Sequence, residues 1–177
     1  AAFLINAKSD KAIGDWLRDD ALTPERVGMA CSVFSFEDEP ERAVIVYGTK
    51  SNAATHRAAA KVLAEKIADR WYNFEIPIKA DTAVTDEEIR SNHIILVGQP
   101  STHASASRLV SRLPVTFASG SFTVRDELYA HPASAVVAAG AHPENRRFSV
   151  VLYAGLSADA TWQAVQRVSE SGRRILS

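Results

Sequence analysis

The sequence predicts one α/β domain, a three-layer sandwich with a mostly parallel sheet and an antiparallel extension in the C-terminal part. Two apolar runs, AVIVY at 43–47 and HIILV at 93–97, are each followed by glycine and then by a helical pattern. Such continuous β-branched runs are typical of strands buried on both faces. The repeated order of strand, glycine turn and helix indicates βα units. After Pro114, short strand-like segments separated by turn signals predict the antiparallel part.

Composition limits the classes of function. The chain has 177 residues, of which 46% are hydrophobic and 23% charged, and its formal net charge is -1. This balance gives no electrostatic case for nucleic acid as a partner. No apolar run approaches the ~20 residues that a membrane-spanning helix needs. Cys31 is the only cysteine, so neither an internal disulfide nor a thiolate metal cluster is predicted.

The chain is predicted to form a single domain overall, with an N-terminal segment over 1–40 and the α/β domain over 41–177. No linker sequence separates the two parts. In the N-terminal segment we expect a short helix from Ser9 to about Asp19 and a strand over 31–36. The sequence does not predict how this N-terminal segment packs on the rest of the domain.

Helices and strands of the domain follow from periodicity. The first long helix begins at Ser51 or Asn52, and its predicted core stripe is Ala59, Val62, Leu63, Ile67 and Trp71. Thr85 and Glu88 have capping-box spacing for a short helix. A second helix is expected from Ser101 or Thr102 to a point before Pro114. The remaining expected elements are strands at 74–81, 114–117, 121–124 and 127–130, a hairpin of strands 133–140 and 148–155, and a final helix over 158–170.

The two glycine turns are the candidate ligand site. In open α/β sheets, ligands bind beyond the carboxyl ends of the strands, where turns meet helix N-termini and offer free N–H groups to an anion. The candidate binding residues are Gly48, Thr49, Lys50, Ser51, Asn52, Gly98, Ser101, Thr102 and His103. A purely structural interpretation is favoured, in which the glycines permit sharp turns and the polar residues cap helices.

Catalytic and cofactor motifs are missing from these turns. The first turn resembles the phosphate loop of a flavodoxin in position. Lys50 and Ser51 stand where a flavodoxin loop has a glycine that lets the backbone wrap the FMN phosphate, so FMN binding is not predicted. No GxxxxGK[ST] or GxSxG motif occurs. Ser101, His103 and Asp81 contain the residue types of a catalytic triad, but no motif supports that assignment. Among the carboxylates, Asp81 at a strand end is the better acid/base candidate by position. No catalytic residue and no cofactor is assigned.

The histidines do not have metal-ligand spacing. No pair has HxxxH or HxH spacing, so no metal site is predicted. We expect His56 on a helix surface, and His131 and His142 in turns because each precedes proline. His103 lies nearest the predicted cleft, where a capping or solvent-facing role is favoured.

From Ala43 to Glu170 the order of segments resembles an α/β domain of secreted bacterial proteins. In that family the domain is appended to prolyl-oligopeptidase-like or esterase-like hydrolases. The most specific part of the resemblance is Asn92 through Thr102, an asparagine followed by an apolar strand and a Gly-x-Pro-x-Thr turn. The sequence departs at His103, where the family pattern has asparagine, and its hairpin loop is shorter. The resemblance implies an accessory domain whose hydrolase active site lies elsewhere, and it names no catalytic residue here.

The leading functional hypothesis is therefore a non-catalytic accessory or interaction module that contacts a neighbouring domain or subunit of a larger secreted protein. An extracellular or periplasmic location is expected, with a cytoplasmic one left open. One alternative is a small-anion or nucleotide-binding domain that uses turns 48–52 and 98–103. Another is a stand-alone hydrolase with a noncanonical Ser/His pair.

Overall fold

A mixed sheet of six strands organises the chain. The computed structural model describes residues 2–4, 36, 39–70 and 75–174. The expected helix at 9–19 and nearly all of the strand at 31–36 lie outside these residues; Phe36 is described and is buried. The strands are β1 (Ala2–Leu4), β2 (Ala43–Tyr47), β3 (Ile78–Ala80), β4 (His93–Val97), β5 (Thr116–Ala118), β6 (Ser121–Val124), β7 (Glu127–Tyr129), β8 (Ala135–Ala141) and β9 (Ser149–Gly155). The α-helices are α1 (Ala53–Arg70), α2 (Asp86–Arg90), α3 (Ala106–Leu109) and α4 (Ala158–Arg174).

Strand order confirms the predicted α/β class. The large sheet has the order β1-β8-β9-β4-β2-β3. Strands β3, β2, β4 and β9 are parallel, whereas β8 is antiparallel to β9 and β1 is antiparallel to β8. The hairpin of β8 and β9 forms as predicted. Because β2 connects to β3 on one side and is flanked by β4 on the other, the strand order reverses at β2.

Both faces of this sheet are buried, which explains the unbroken apolar runs. Alternate residues of β2 point to opposite faces, as a pleated strand requires: Ile45 lies in one core, and Val44 and Val46 lie in the other. Helices α1 and α4 cover the first core through residues that include Leu63 and Val165. Burying one such aliphatic side chain stabilises the fold by about 1.5–3 kcal/mol.

The second core lies under α2, α3 and a small antiparallel sheet of order β5-β6-β7. Three cross-strand aromatic rings line this sheet: Phe117 and Phe122 lie 5.7 Å apart between centroids, and Phe122 and Tyr129 lie 5.2 Å apart. Its second turn places Arg125 and Asp126 at φ 49° and 69°, as a tight two-residue hairpin requires. The predicted antiparallel extension is thus a separate sheet that packs on the first.

The prediction of one continuous helix from Ser101 or Thr102 to a point before Pro114 is wrong. The segment contains a 3-10 turn at Pro100–Thr102, helix α3, and a second 3-10 turn at Val110–Arg112. His103 interrupts the helical path with an extended backbone, φ -133° and ψ 123°. Its side chain is fully buried. Burial of this ring in the domain therefore outweighs the local helical pattern.

The short helix α2 has the capping box that its sequence predicts. The Thr85 hydroxyl accepts a hydrogen bond from the Glu88 N–H at 3.2 Å, and the Glu88 carboxylate accepts one from the Thr85 N–H at 3.0 Å. Glu88 also pairs with Lys79 of β3. Among the residues that the structure describes, no helix is long and apolar enough to cross a membrane.

Candidate functional site

The loops that follow β2, β3 and β4 meet at the carboxyl edge of the parallel strands. This edge is where the strand order reverses, the usual ligand position in open α/β sheets. The loop after β2 carries Gly48 to Asn52, the loop after β3 begins with Asp81, and the loop after β4 carries Gly98 to His103. The fold therefore brings the two predicted glycine turns together and adds Asp81 to them. We call this region the crevice.

Both glycines are required by close contacts. A Cβ added to Gly48 would lie 2.5 Å from the carbonyl oxygen of Thr102. Gly98 has φ 117°, which L side chains rarely adopt, and a Cβ there would lie 3.1 Å from the Thr102 hydroxyl. The glycines thus allow the loops after β2 and β4 to pack directly on each other.

Several backbone N–H groups of the two turns donate to carbonyl groups within the chain. The Lys50 N–H donates to the Thr102 carbonyl at 3.1 Å, which joins the two turns. The Gly48 N–H donates to the Val97 carbonyl at 3.0 Å, and the Thr102 N–H donates to the Gln99 carbonyl at 2.9 Å. These N–H groups already have acceptors, so an incoming anion would have to compete with them.

The rim of the crevice is polar and exposed. Lys50, Ser51 and Asn52 lie at the start of α1 and are exposed, as is Ser101 on the opposite loop. Asn52 has φ 50°, and its carbonyl accepts the first helical hydrogen bond, from the His56 N–H at 3.1 Å. Asn52 therefore occupies the N-cap position, immediately before the first helical residue of α1, Ala53.

Asp81 is the buried acid at the centre of the crevice. Its carboxylate accepts hydrogen bonds from the Thr49 hydroxyl at 2.6 Å and from the Ala104 N–H at 2.5 Å. The residue is only 4% exposed. Burial acts to raise the pKa of Asp81, but the bonds from Thr49 and Ala104 outweigh it, so the pKa lies below its ordinary value of 3.8. Asp81 is therefore an ionised carboxylate that ties together the loops after β2, β3 and β4.

His103 is buried beside this carboxylate, and its hydrogen bonds define its protonation. Nε2 lies 3.2 Å from the Val46 carbonyl, which only accepts, so Nε2 carries a proton. Nδ1 accepts a hydrogen bond from the Ser105 N–H at 3.2 Å, so Nδ1 carries none. Burial lowers the pKa of His103. The ring is thus neutral, accepts the N–H of the turn that follows it, and does not face solvent.

The same turn occurs at two other histidines. Nδ1 of His131 accepts from the Ala133 N–H at 3.1 Å, and Nδ1 of His142 accepts from the Glu144 N–H at 3.1 Å. Both histidines lie in turns before proline, as predicted. In each case the imidazole nitrogen replaces the side-chain oxygen of an Asx turn.

The expected surface position of His56 is wrong. His56 is 2% exposed, and its Nδ1 donates to the Gly48 carbonyl at 3.1 Å. The ring also packs against Gly98, where an added Cβ would lie 3.2 Å from Cε1. The alanine-rich pattern of α1 did not reveal this role, because a histidine near a helix start is compatible with either face.

The structure does not bring the three members of the hypothetical Ser101, His103 and Asp81 triad together in one exposed site. Two are buried and one is on the surface. Asp81 and His103 are adjacent, with His103 Nδ1 3.7 Å from the carboxylate, and both side chains are fully buried. Ser101 is exposed on the rim. Both nitrogens of the His103 ring have backbone partners, so this ring has no nitrogen available to act as a base toward a serine hydroxyl.

In the parts of the chain that the structure describes, the crevice included, no group of three or more His, Cys, Asp or Glu residues is placed to hold a metal ion. The roles of Thr49 and Ala104 were not visible in the sequence, since one is a hydroxyl in a turn and the other acts through its backbone. No protein-family model and no curated protein matches the chain significantly.

Proposed function

We propose that this chain is a non-catalytic α/β module that contacts a neighbouring domain or subunit, within a larger secreted protein. The observation that supports the proposal is the Asp81 carboxylate. It lies where an open α/β sheet ordinarily receives a ligand, and it accepts the hydroxyl and N–H donors of the surrounding loops. The crevice thus contains an internal anion, held by donors that a bound phosphate would otherwise use.

Electrostatics further support a non-ligand role for the crevice. An ionised carboxylate repels a phosphate or a nucleotide, and the repulsion is strong where solvent is excluded. Charge of the opposite sign comes from Lys50, whose side chain is on the exposed rim. The high dielectric constant of the surrounding water weakens the interactions of that exposed charge. The buried acid therefore dominates at the centre of the crevice.

The alternative of a small-anion or nucleotide site keeps one observation in its favour. Lys50, Ser51 and Asn52 are exposed at the start of α1, an 18-residue helix whose N-terminus attracts negative charge. Such a ligand would bind at the rim, outside Asp81. This alternative predicts that Lys50→Ala weakens binding and leaves the fold intact.

Thermal unfolding with and without ligands separates the two functions. The chain would be unfolded with FMN, nucleotides, phosphate, sugars and divalent metals. A ligand at 100 times its dissociation constant adds about 2.7 kcal/mol of stability, several degrees for a domain of this size. The module proposal predicts no shift. A shift with one anion class that Lys50→Ala abolishes, and that the matched Lys61→Ala on the exposed side of α1 retains, would overturn it.

An enzymatic assay tests the remaining alternative, a hydrolase with a Ser/His pair. Purified chain would be incubated with ester and peptide substrates. We expect no turnover above background, because the His103 ring has no free nitrogen. Hydrolysis that is lost in Ser101→Ala would contradict the proposal.

A further inference from the structure

Two alternative partners surround one atom of His103. In the neutral ring, Nδ1 accepts the Ser105 N–H at 3.2 Å. A carboxylate oxygen, Oδ2 of Asp81, lies 3.7 Å from the same nitrogen. A second proton on the ring would have to sit on Nδ1, since Nε2 already donates to Val46. That proton would repel the Ser105 N–H and attract the Asp81 carboxylate.

The charges around the ring come from three elements. Asp81 follows β3 and favours the protonated ring, whereas His56 of α1 and Lys50 of the loop after β2 oppose it. Burial opposes it most strongly. The protonated state therefore requires acid, and the contact with Asp81 is the interaction that compensates for its burial.

We propose that His103 is a proton-operated switch, which releases the Ser105 N–H on acidification and forms an ion pair with Asp81. Ser105 immediately precedes helix α3, so loss of its hydrogen bond changes how that helix begins. Ala104 donates to the same Asp81 oxygen that the imidazolium would contact, so its hydrogen bond is affected in the same step. The moving part is thus the 103–106 segment at the edge of the crevice. The switch is independent of whether the chain is an interaction module.

Nuclear magnetic resonance of the ¹⁵N-labelled chain between pH 7.5 and pH 4 tests the switch. The nitrogens of the His103 ring report protonation, and the Ser105 and Ala104 amides report their hydrogen bonds. We expect one midpoint below pH 6.5 for ring and amides together. The exchange protection of the Ser105 amide should fall roughly tenfold across it, the effect of losing one ordinary hydrogen bond. Circular dichroism should show the fold retained.

Two variants serve as controls. Asparagine in His103→Asn keeps an oxygen that can accept the Ser105 N–H, as in an Asx turn, but does not titrate. Its Ser105 amide should therefore stay protected at every pH. Asp81→Asn removes the charge that attracts the imidazolium, so the midpoint should move to lower pH.

Three results would each overturn the proposal. The first is a His103 ring that titrates while the Ser105 amide keeps its protection. The second is a ring that stays neutral down to pH 4. The third is global unfolding at the His103 midpoint, which would make the histidine a structural group only.

Discussion

The hydroxyl of Thr49 donates a 2.6 Å hydrogen bond to the carboxylate of Asp81, 32 residues later in the chain. Through this bond the loop after β2 is held to the loop after β3. The second oxygen of the same carboxylate holds the loop after β4, through the Ala104 N–H. A single buried acid therefore fixes the relative positions of three loops at the switch point of the sheet.

Loss of this acid should destabilise the fold. We expect Asp81→Ala to lower the free energy of unfolding by about 2–4 kcal/mol, because hydrogen bonds to a charged group contribute about 1.5–3 kcal/mol each and the effects of neighbours are not additive. Thr49→Val, which removes only one donor, should cost less. Urea unfolding measures both, and equal stability of Asp81→Ala and wild type would contradict the role assigned to Asp81.

Acid should weaken the fold as pH falls below 6.5, because buried histidines such as His142 resist protonation. Burial lowers the pKa of His142, whose Nδ1 also accepts the Glu144 and Asn145 N–H groups. A histidine whose folded pKa is lowered contributes stability that is complete above its ordinary value of 6.5 and is lost as pH falls through the folded pKa. Urea unfolding between pH 7.5 and pH 5 should show stability falling with pH, with a slope of up to about 1.4 kcal/mol per pH unit for each such histidine.

His142→Asn should reduce that slope, because asparagine can accept the same turn N–H without titrating. A slope unchanged by this substitution would show that His142 does not contribute. The pKa of Asp81 is lowered as well, so its contribution is present above pH 3.8 and is lost only as pH falls through its lower folded pKa.

Substitution of Gly48 should damage the crevice although the change is small. In Gly48→Ala the new methyl group would lie 2.5 Å from the Thr102 carbonyl oxygen, a backbone atom that cannot rotate away. We expect a loss of about 1–3 kcal/mol, the usual cost of overpacking. Gly120→Ala is a suitable comparison, since that glycine has open space around it and its cost comes from a φ of 69°. Thermal unfolding of the two variants would separate contact from backbone strain.

Truncation of a buried leucine should lower the free energy of unfolding far more than truncation of an exposed leucine. Leu96 in β4 is fully buried, whereas Leu128 in β7 is 68% exposed. We expect Leu96→Ala to cost about 2–5 kcal/mol, including the cavity it leaves. Leu128→Ala should change stability by no more than about 0.5 kcal/mol. Denaturant unfolding of both would check the assignment of β4 to the centre of the sheet.

The sequence predicted those parts of the fold that depend on local patterns. The run of β2 around Ile45 and that of β4 around Leu96 were identifiable because a strand buried on both faces must be apolar throughout. The capping box of Thr85 and Glu88 was equally visible, since its two partners are three residues apart.

The crevice depends on contacts between residues that are distant in sequence, and local residue spacing does not predict such contacts. His103 interrupts an otherwise helical pattern because its ring is buried beneath Val46, 57 residues earlier in the chain. His56 is buried under Gly48 by the same kind of long-range packing. Its position at a strand end identified Asp81 as a candidate acid in the sequence. Its hydrogen-bond donors, Thr49 and Ala104, are evident only in the folded structure.

Chemical rescue of Asp81→Ala tests most directly the claim that the Asp81 carboxylate is the anion of the crevice. Formate is a carboxylate small enough to replace the group that this substitution removes. The unfolding temperature of Asp81→Ala and of wild type would be measured in rising sodium formate, with sodium chloride at matched ionic strength as the control. We expect formate to raise the unfolding temperature of Asp81→Ala by several degrees and to leave wild type unchanged relative to chloride. Equal responses of the two proteins, or a specific stabilisation of wild type by formate or phosphate, would contradict it.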